Sequence, residues 1–149
     1  MAHDPQHIKN TASSFLTAAE RCFEKRPLPS GQIQAPLVPA VVCAVFGIEL
    51  SLKAIIAIEK GKATGHDLLK LFIKLTPQSK VSIAAALSLE EWALRQKIGA
   101  ISSAFVEWRY IYERGSAHID LEFLQQFAKT TAQLLESLAN PAVHTNTAK

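Results

Sequence analysis

Apolar positions recur at helical spacing along nearly the whole of this chain. Over residues 5–25, Ile8, Ala12, Phe15, Leu16, Ala19, Cys22 and Phe23 fall on one stripe. Asp4 followed by Pro5 supplies the cap and first-turn proline that start such a helix. Arg26-Pro27-Leu28-Pro29-Ser30-Gly31 stops it, and the segment to Pro36 reads as a loop. A second helix is expected over residues 37–60. It is apolar on nearly all sides in its first half, which requires burial on several faces.

Gly61 and Gly65 mark the next joint, and residues 64–75 read as a short basic amphipathic helix. It turns Leu68, Leu69, Leu71, Phe72 and Leu75 inward, with Lys70 and Lys74 outward. Thr76-Pro77 is a fresh start signal, opening residues 81–87. Ser88-Leu89-Glu90-Glu91 has the spacing of a capping box. The helix expected after it carries Leu94, Ile98, Ile101, Phe105, Trp108 and Tyr112, with gaps alternating between four and three. That is the seam of a helix packed lengthwise on antiparallel neighbours. Arg114-Gly115-Ser116 breaks it, and Asp120 can cap a last helix bearing Leu121, Leu124, Phe127, Ala128, Leu134, Leu135 and Leu138. No segment alternates with strand period. The expected fold is all-α, an up-and-down antiparallel bundle of four to five helices. It forms one domain over residues 1–140, with 141–149 a disordered tail.

Composition agrees with this picture. Hydrophobic residues make up 48% and charged residues 19% of 149, enough apolar content for a core without staples. The run Leu37 to Ile48 approaches membrane character, but Glu49 and Lys53 interrupt it. These two lie four apart on one helical face and can pair. The expectation is a buried central helix in a cytoplasmic protein with no membrane contact. Cys22 and Cys43 form no CxxC and read as two buried thiols. The net charge is +3, and its distribution says more than its size. From Lys53 to Lys80 six lysines (53, 60, 62, 70, 74, 80) face only Glu59 and Asp67. Such an excess reads either as a footprint for phosphates or as a solvated face that keeps two apolar helices soluble.

Chemical motifs are sparse. The sequence has no phosphate-cradling glycine loop, HExxH, GxSxG or calcium loop, and its five histidines are scattered, so no metal site and no cofactor is expected. The segment Phe105 to Glu113 carries more polar specification than packing needs. Arg109 lies about 60° from the centre of the apolar seam, at about 100° per residue, so it must be paired or line a cleft. One reading is a buried structural ion pair between Arg109 and Glu49. The other is a ligand site in which Arg109 grips a phosphate bidentately while Tyr110 and Tyr112 stack or hydrogen-bond, with the Lys53 face and Lys70 alongside. His66 and Asp67 stand at a helix start, either as joint residues or as a further anion contact. His118, in RGSAH beside Arg114, is a third candidate.

The Glu49-x3-Lys53 helix, the Gly65-His66-Asp67-Leu68-Leu69 joint and the Phe105-x2-Trp108-Arg109-Tyr110-x-Tyr112-Glu113 helix together resemble a HEPN domain. The name covers small helical bundles found in prokaryotic toxin–antitoxin and phage-defence systems and beside nucleotidyltransferases. The resemblance runs from about Leu37 to Leu138. It implies a four- or five-helix bundle, often a homodimer, and in many members a metal-independent ribonuclease built on an arginine and a histidine four to six residues apart. Here eight residues separate Arg109 from His118 and three separate Arg114 from His118, so neither pair matches that spacing. Members without catalysis that bind nucleotides, RNA or partner subunits fit the departure better.

The leading expectation is therefore a non-enzymatic, homodimeric helical module that binds RNA, a nucleotide or a partner protein through the Arg109/His66 face. A toxin-type endoribonuclease using Arg109 or Arg114 with His118 is the first alternative. A pure protein-interaction bundle, with Arg109–Glu49 as a core pair, is the second.

Overall fold

The computed structural model describes residues 4–141; the tail expected over 141–149 lies almost wholly outside them. The fold is all-α, a helical bundle. Helix α1 (Pro5–Phe23) starts as its sequence dictates, with Asp4 accepting the Gln6 N–H at 2.9 Å. The loop after it closes into a two-residue hairpin, β1 (Arg26–Pro27) against β2 (Ile33–Gln34). Two residues are too few to show a period, which is why the sequence pattern carries no sign of it.

Helix α2 (Leu37–Lys60) is the axle of the bundle, packed against α1, α3 (Leu68–Ile73), α6 (Ala104–Arg109) and α8 (Leu121–Ala139). It is long and apolar enough to cross a bilayer, yet 67% of its most apolar window is buried inside the bundle. Ala40, Val41, Ala44, Val45, Ile48, Leu52, Ile55 and Ile56 are all in the core. Gly47 lets α1 cross closely: a Cβ there would stand 2.5 Å from Leu16 Cδ2. Because neighbours cover α2 from several sides, its apolar surface supplies no surplus that would itself require a dimer.

The second half of the chain departs from expectation in three places. Helix α3 begins at Leu68 rather than near Thr64. Gly65 sits at φ +99, outside helical space, and the Asp67 carboxylate caps the helix by accepting the Lys70 N–H at 3.0 Å. Helix α4 (Pro77–Ala86) has the expected Thr76 cap, but Ser88 does not cap the next helix. Its φ is +53, and it serves instead to end α4: the Leu89 N–H bonds the Ala84 carbonyl and the Ser88 N–H bonds the Ala85 carbonyl. Those two bonds form a Schellman stop, a role usually taken by glycine. The expected capping box is therefore absent, and α5 (Glu91–Ile101) starts at Glu90 without a side-chain cap bond.

Third, the helix expected from Ser88 to Glu113 is broken into α5, α6 and α7 (Ile111–Arg114), which gives more segments than four to five. The first break has a visible cause. Ser102 Oγ donates to the Ile98 carbonyl at 2.9 Å and accepts the Leu69 N–H at 3.2 Å, so it bends its own helix while satisfying a first-turn N–H of α3. The seam survives as far as Trp108: Leu94, Ile98, Ile101 and Trp108 are buried, but Tyr112 is 76% exposed. Helix α8 begins as expected, with Asp120 Oδ1 accepting the Phe123 N–H at 3.0 Å.

Candidate functional site

Glu49 is 2% exposed, and a buried carboxylate must be answered by charge or hydrogen bonds. Its partners are Lys53 and His66, not Arg109. Lys53 Nζ and His66 Nδ1 both lie 2.8 Å from Glu49 Oε1. The Lys53 pairing arises from the i,i+4 spacing within α2. The His66 contact comes from tertiary structure, because the 61–67 joint folds back along α2. The expected Arg109–Glu49 bridge does not form: Lys53 reaches the carboxylate from one turn away, while Arg109 faces solvent.

Arg109 lies instead on an aromatic platform. Its guanidinium carbon is 4.9 Å from the Phe105 ring centroid and 5.2 Å from that of Tyr110, and Nη2 donates to the Tyr110 hydroxyl at 3.1 Å. Phe105 rests in turn on Phe46 (5.2 Å) and Phe46 on Phe15 (4.6 Å), so the ladder reaches through α2 to α1. Tyr110 stands at the junction of α6 and α7, with φ −111 and ψ 26, and Tyr112 lies 6.3 Å beyond it. With one hydrogen bond to Tyr110, the guanidinium over these rings keeps most of its N–H donors for a ligand. Phe46 precedes Glu49 by one turn of α2, so the ladder and the Glu49–Lys53–His66 cluster adjoin on that helix. Phe46 and Phe105 escape a reading of the sequence because nothing in an apolar run or a seam marks which rings will carry a cation.

The other candidates separate. Asp67 is occupied as the α3 cap. Lys70 is exposed on α3. Arg114 approaches Glu107 at 3.7 Å. His118 lines a groove of about 580 Å³ between α5 and the start of α8, with Trp92, Lys97, Ile101 and Phe123. Neither Arg109 nor Arg114 lines that groove. The second cleft, about 630 Å³ between α1 and α8, contains none of the expected site residues.

Much of the lysine excess has a structural role. Lys60 Nζ donates to the Lys74 carbonyl, Lys74 Nζ to the Thr64 carbonyl at 3.0 Å, and Lys80 Nζ to the Ile73 carbonyl at 3.2 Å. Three ammonium groups thus stitch the joints around α3, and two of them meet carbonyls at its C-terminal end, where the helix dipole favours cations. Burial first, and then Cys22 nearby, push the Cys43 thiol up, which keeps thiolate scarce. Among the described residues no group of three or more His, Cys, Asp or Glu side chains is placed to hold a metal ion.

Comparison with known proteins identifies no similar family model, curated protein or solved structure.

Proposed function

We propose that this chain is a HEPN-like binding module without ribonuclease activity, working as a homodimer in a toxin–antitoxin or phage-defence setting. It takes single-stranded RNA, or a free nucleotide of the same base-and-phosphate chemistry, on the Arg109 platform. One observation carries the reading: an exposed guanidinium with no carboxylate partner among the described residues, stacked on Phe105 and Tyr110. A structural arginine would be paired. This one presents bidentate donors to a phosphate, and Tyr110 and Tyr112 offer ring faces to a base. The lysine field between Lys53 and Lys80 adds long-range attraction for the same ligand. Catalysis is left out because His118 lines a groove that does not include Arg109, and general base chemistry needs the imidazole within hydrogen-bond reach of the reacting hydroxyl.

The test is fluorescence anisotropy with a short labelled single-stranded RNA, then gel electrophoresis of the RNA. Expected is binding that weakens as salt rises, because phosphate contacts release counterions. Arg109→Ala should weaken it by on the order of tenfold or more, since base stacking and bidentate contacts are each worth about 1–3 kcal/mol. Arg109→Lys should not restore it, because an ammonium has no planar fork. Absence of binding at low salt, or binding indifferent to Arg109, would leave a protein-interaction bundle as the better reading. Metal-independent cleavage lost in both Arg109→Ala and His118→Ala would establish the toxin alternative.

A further inference from the structure

His66 is the most exposed member of the Glu49 cluster. Its side chain is 85% exposed while that of Glu49 is 3% exposed, and the two are joined at 2.8 Å through Nδ1. An ionised carboxylate only accepts hydrogen bonds, so Nδ1 carries the proton and donates it. In the neutral ring that bond leaves Nε2 as the nitrogen with the lone pair, and Nε2 has no partner among the described residues. The backbone holds the ring from both sides, through the positive φ of Gly65 and the Asp67 cap of α3. Placing a carboxylate in a core carries a desolvation cost, and Lys53 alone could neutralise it. Directing the same oxygen at a solvent-facing imidazole does something further: it orients the ring so that the far nitrogen faces outward. A side chain held by a third group with its reactive atom outward is the arrangement of an activated nucleophile.

We propose that His66 is a phosphoryl-accepting nucleophile, taking a phosphoryl group on Nε2 from an acyl-phosphate or phosphoramidate donor. The Nε2 lone pair attacks phosphorus, and the bond from phosphorus to the donor's oxygen or nitrogen breaks. The leaving carboxylate or ammonia departs with that electron pair. The ring becomes an imidazolium whose charge rests against Glu49, and the Nδ1 proton stays in that hydrogen bond. No oxidant or metal enters the step. Lys53, on the same carboxylate oxygen, and the lysines that stitch the α3 joints suit an electrophile bearing anionic oxygens. An acyl electrophile would not need them. The proposal involves neither Arg109 nor RNA, so it stands or falls apart from the binding reading.

The experiment treats the full chain with potassium phosphoramidate near neutral pH and tracks each histidine by mass spectrometry and ³¹P NMR. His7 and His118 are exposed and have no carboxylate partner among the described residues, so they serve as internal references. His66 should be labelled on the order of tenfold faster than either, the scale on which an orienting partner acts. The product should be the acid-labile Nε2 isomer. Glu49→Gln, which keeps the shape but removes the charge, should bring His66 down to the reference rate. Equal rates for the three histidines in the unmodified chain, or labelling of His66 at Nδ1, would overturn the proposal whether or not the Glu49 variant folds. A Glu49→Gln protein that folds and still labels His66 at full rate would overturn it as well.

Discussion

The α1–α2 pair and the α5–α7 segment carry equally regular apolar patterns, yet only the first folds as its pattern reads. Along α2 two polar side chains, Lys53 and Ser51, bond within the helix they belong to. Lys53 reaches back to Glu49, and Ser51 Oγ donates to the Gly47 carbonyl at 2.8 Å, both one turn away. Between Ser88 and Arg114 three polar residues act at joints between elements. Ser88 ends α4, Ser102 satisfies α3 through Leu69, and the Tyr110 hydroxyl accepts from Arg109 at a chain junction. A hydrophobic seam with gaps of four and three specifies which residues are buried. It does not specify that the backbone between them is continuous, because one hydroxyl in the right place can bend a helix at small cost.

The largest effect expected from this contrast lies at Lys53. Replacing it by methionine keeps the volume but leaves the buried Glu49 carboxylate with His66 alone. We expect a loss of about 3 kcal/mol in chemical denaturation, in the range for breaking a buried pair from one side. A loss below about 1 kcal/mol, the size of a surface pair, would show that the carboxylate is better solvated than its burial implies.

Next in size are two glycines, one in each region. Gly47→Ala places a Cβ against Leu16 Cδ2 and Cγ, at 2.5 and 2.7 Å, where α1 crosses α2. The overpacking penalty exceeds the gain in helix propensity, for a net loss of about 1–2 kcal/mol. Gly99→Ala meets only Leu69 Cδ2 at an ordinary 3.6 Å, on an exposed face of α5. Here propensity decides, and stability should rise by about 0.5–1 kcal/mol. Equal signs for the two would erase the difference in packing between the regions.

Ser88→Gly sharpens the same comparison. A serine at φ +53 carries the cost of a left-handed residue, and glycine removes it without touching the two stop bonds. We expect a gain of about 0.5–1 kcal/mol. If Ser88 were instead the cap of α5, the change would lose stability or leave it unmoved.

The smallest effect is a pH dependence at Asp120, where α8 begins as the pattern predicts. The Phe123 N–H first, and then Lys97, hold its carboxyl below the ordinary carboxylate value of 3.8. A carboxyl depressed in the folded state contributes stability that is fully present above the unfolded-state value and fades as pH falls through the folded one. Asp120→Asn should therefore cost little in acid, where the carboxyl is protonated in both states, and at most about 1 kcal/mol near neutrality, given its exposure. A cost independent of pH would mean the cap works without its charge.

Legibility in the sequence divides along the same line. The bounds of α2, the caps at Asp4, Thr76 and Asp120 and the Glu49–Lys53 spacing are readable because each is settled within one or two turns of chain. At the candidate site, Arg109, Tyr110 and His66 stand out in the sequence as unusual residues, but their partners do not. The choice between Lys53 and Arg109 as the answer to Glu49 depends on how α6 lies along α2, which no local pattern records. The Phe46–Phe105 support is hidden for the opposite reason: apolar residues in an apolar run carry no mark of what they hold.

Lys53 and His66 satisfy Glu49, which leaves the Arg109 guanidinium without a carboxylate partner on its aromatic platform, and the binding reading depends on that division. The most direct measurement is the unfolding free energy of Arg109→Ala against the unmodified chain. Loss of a partly exposed stack on Phe105 and Tyr110 should cost no more than about 1 kcal/mol. A loss of about 3–5 kcal/mol, the cost of orphaning a buried carboxylate, would contradict it and restore the ion pair between Arg109 and Glu49.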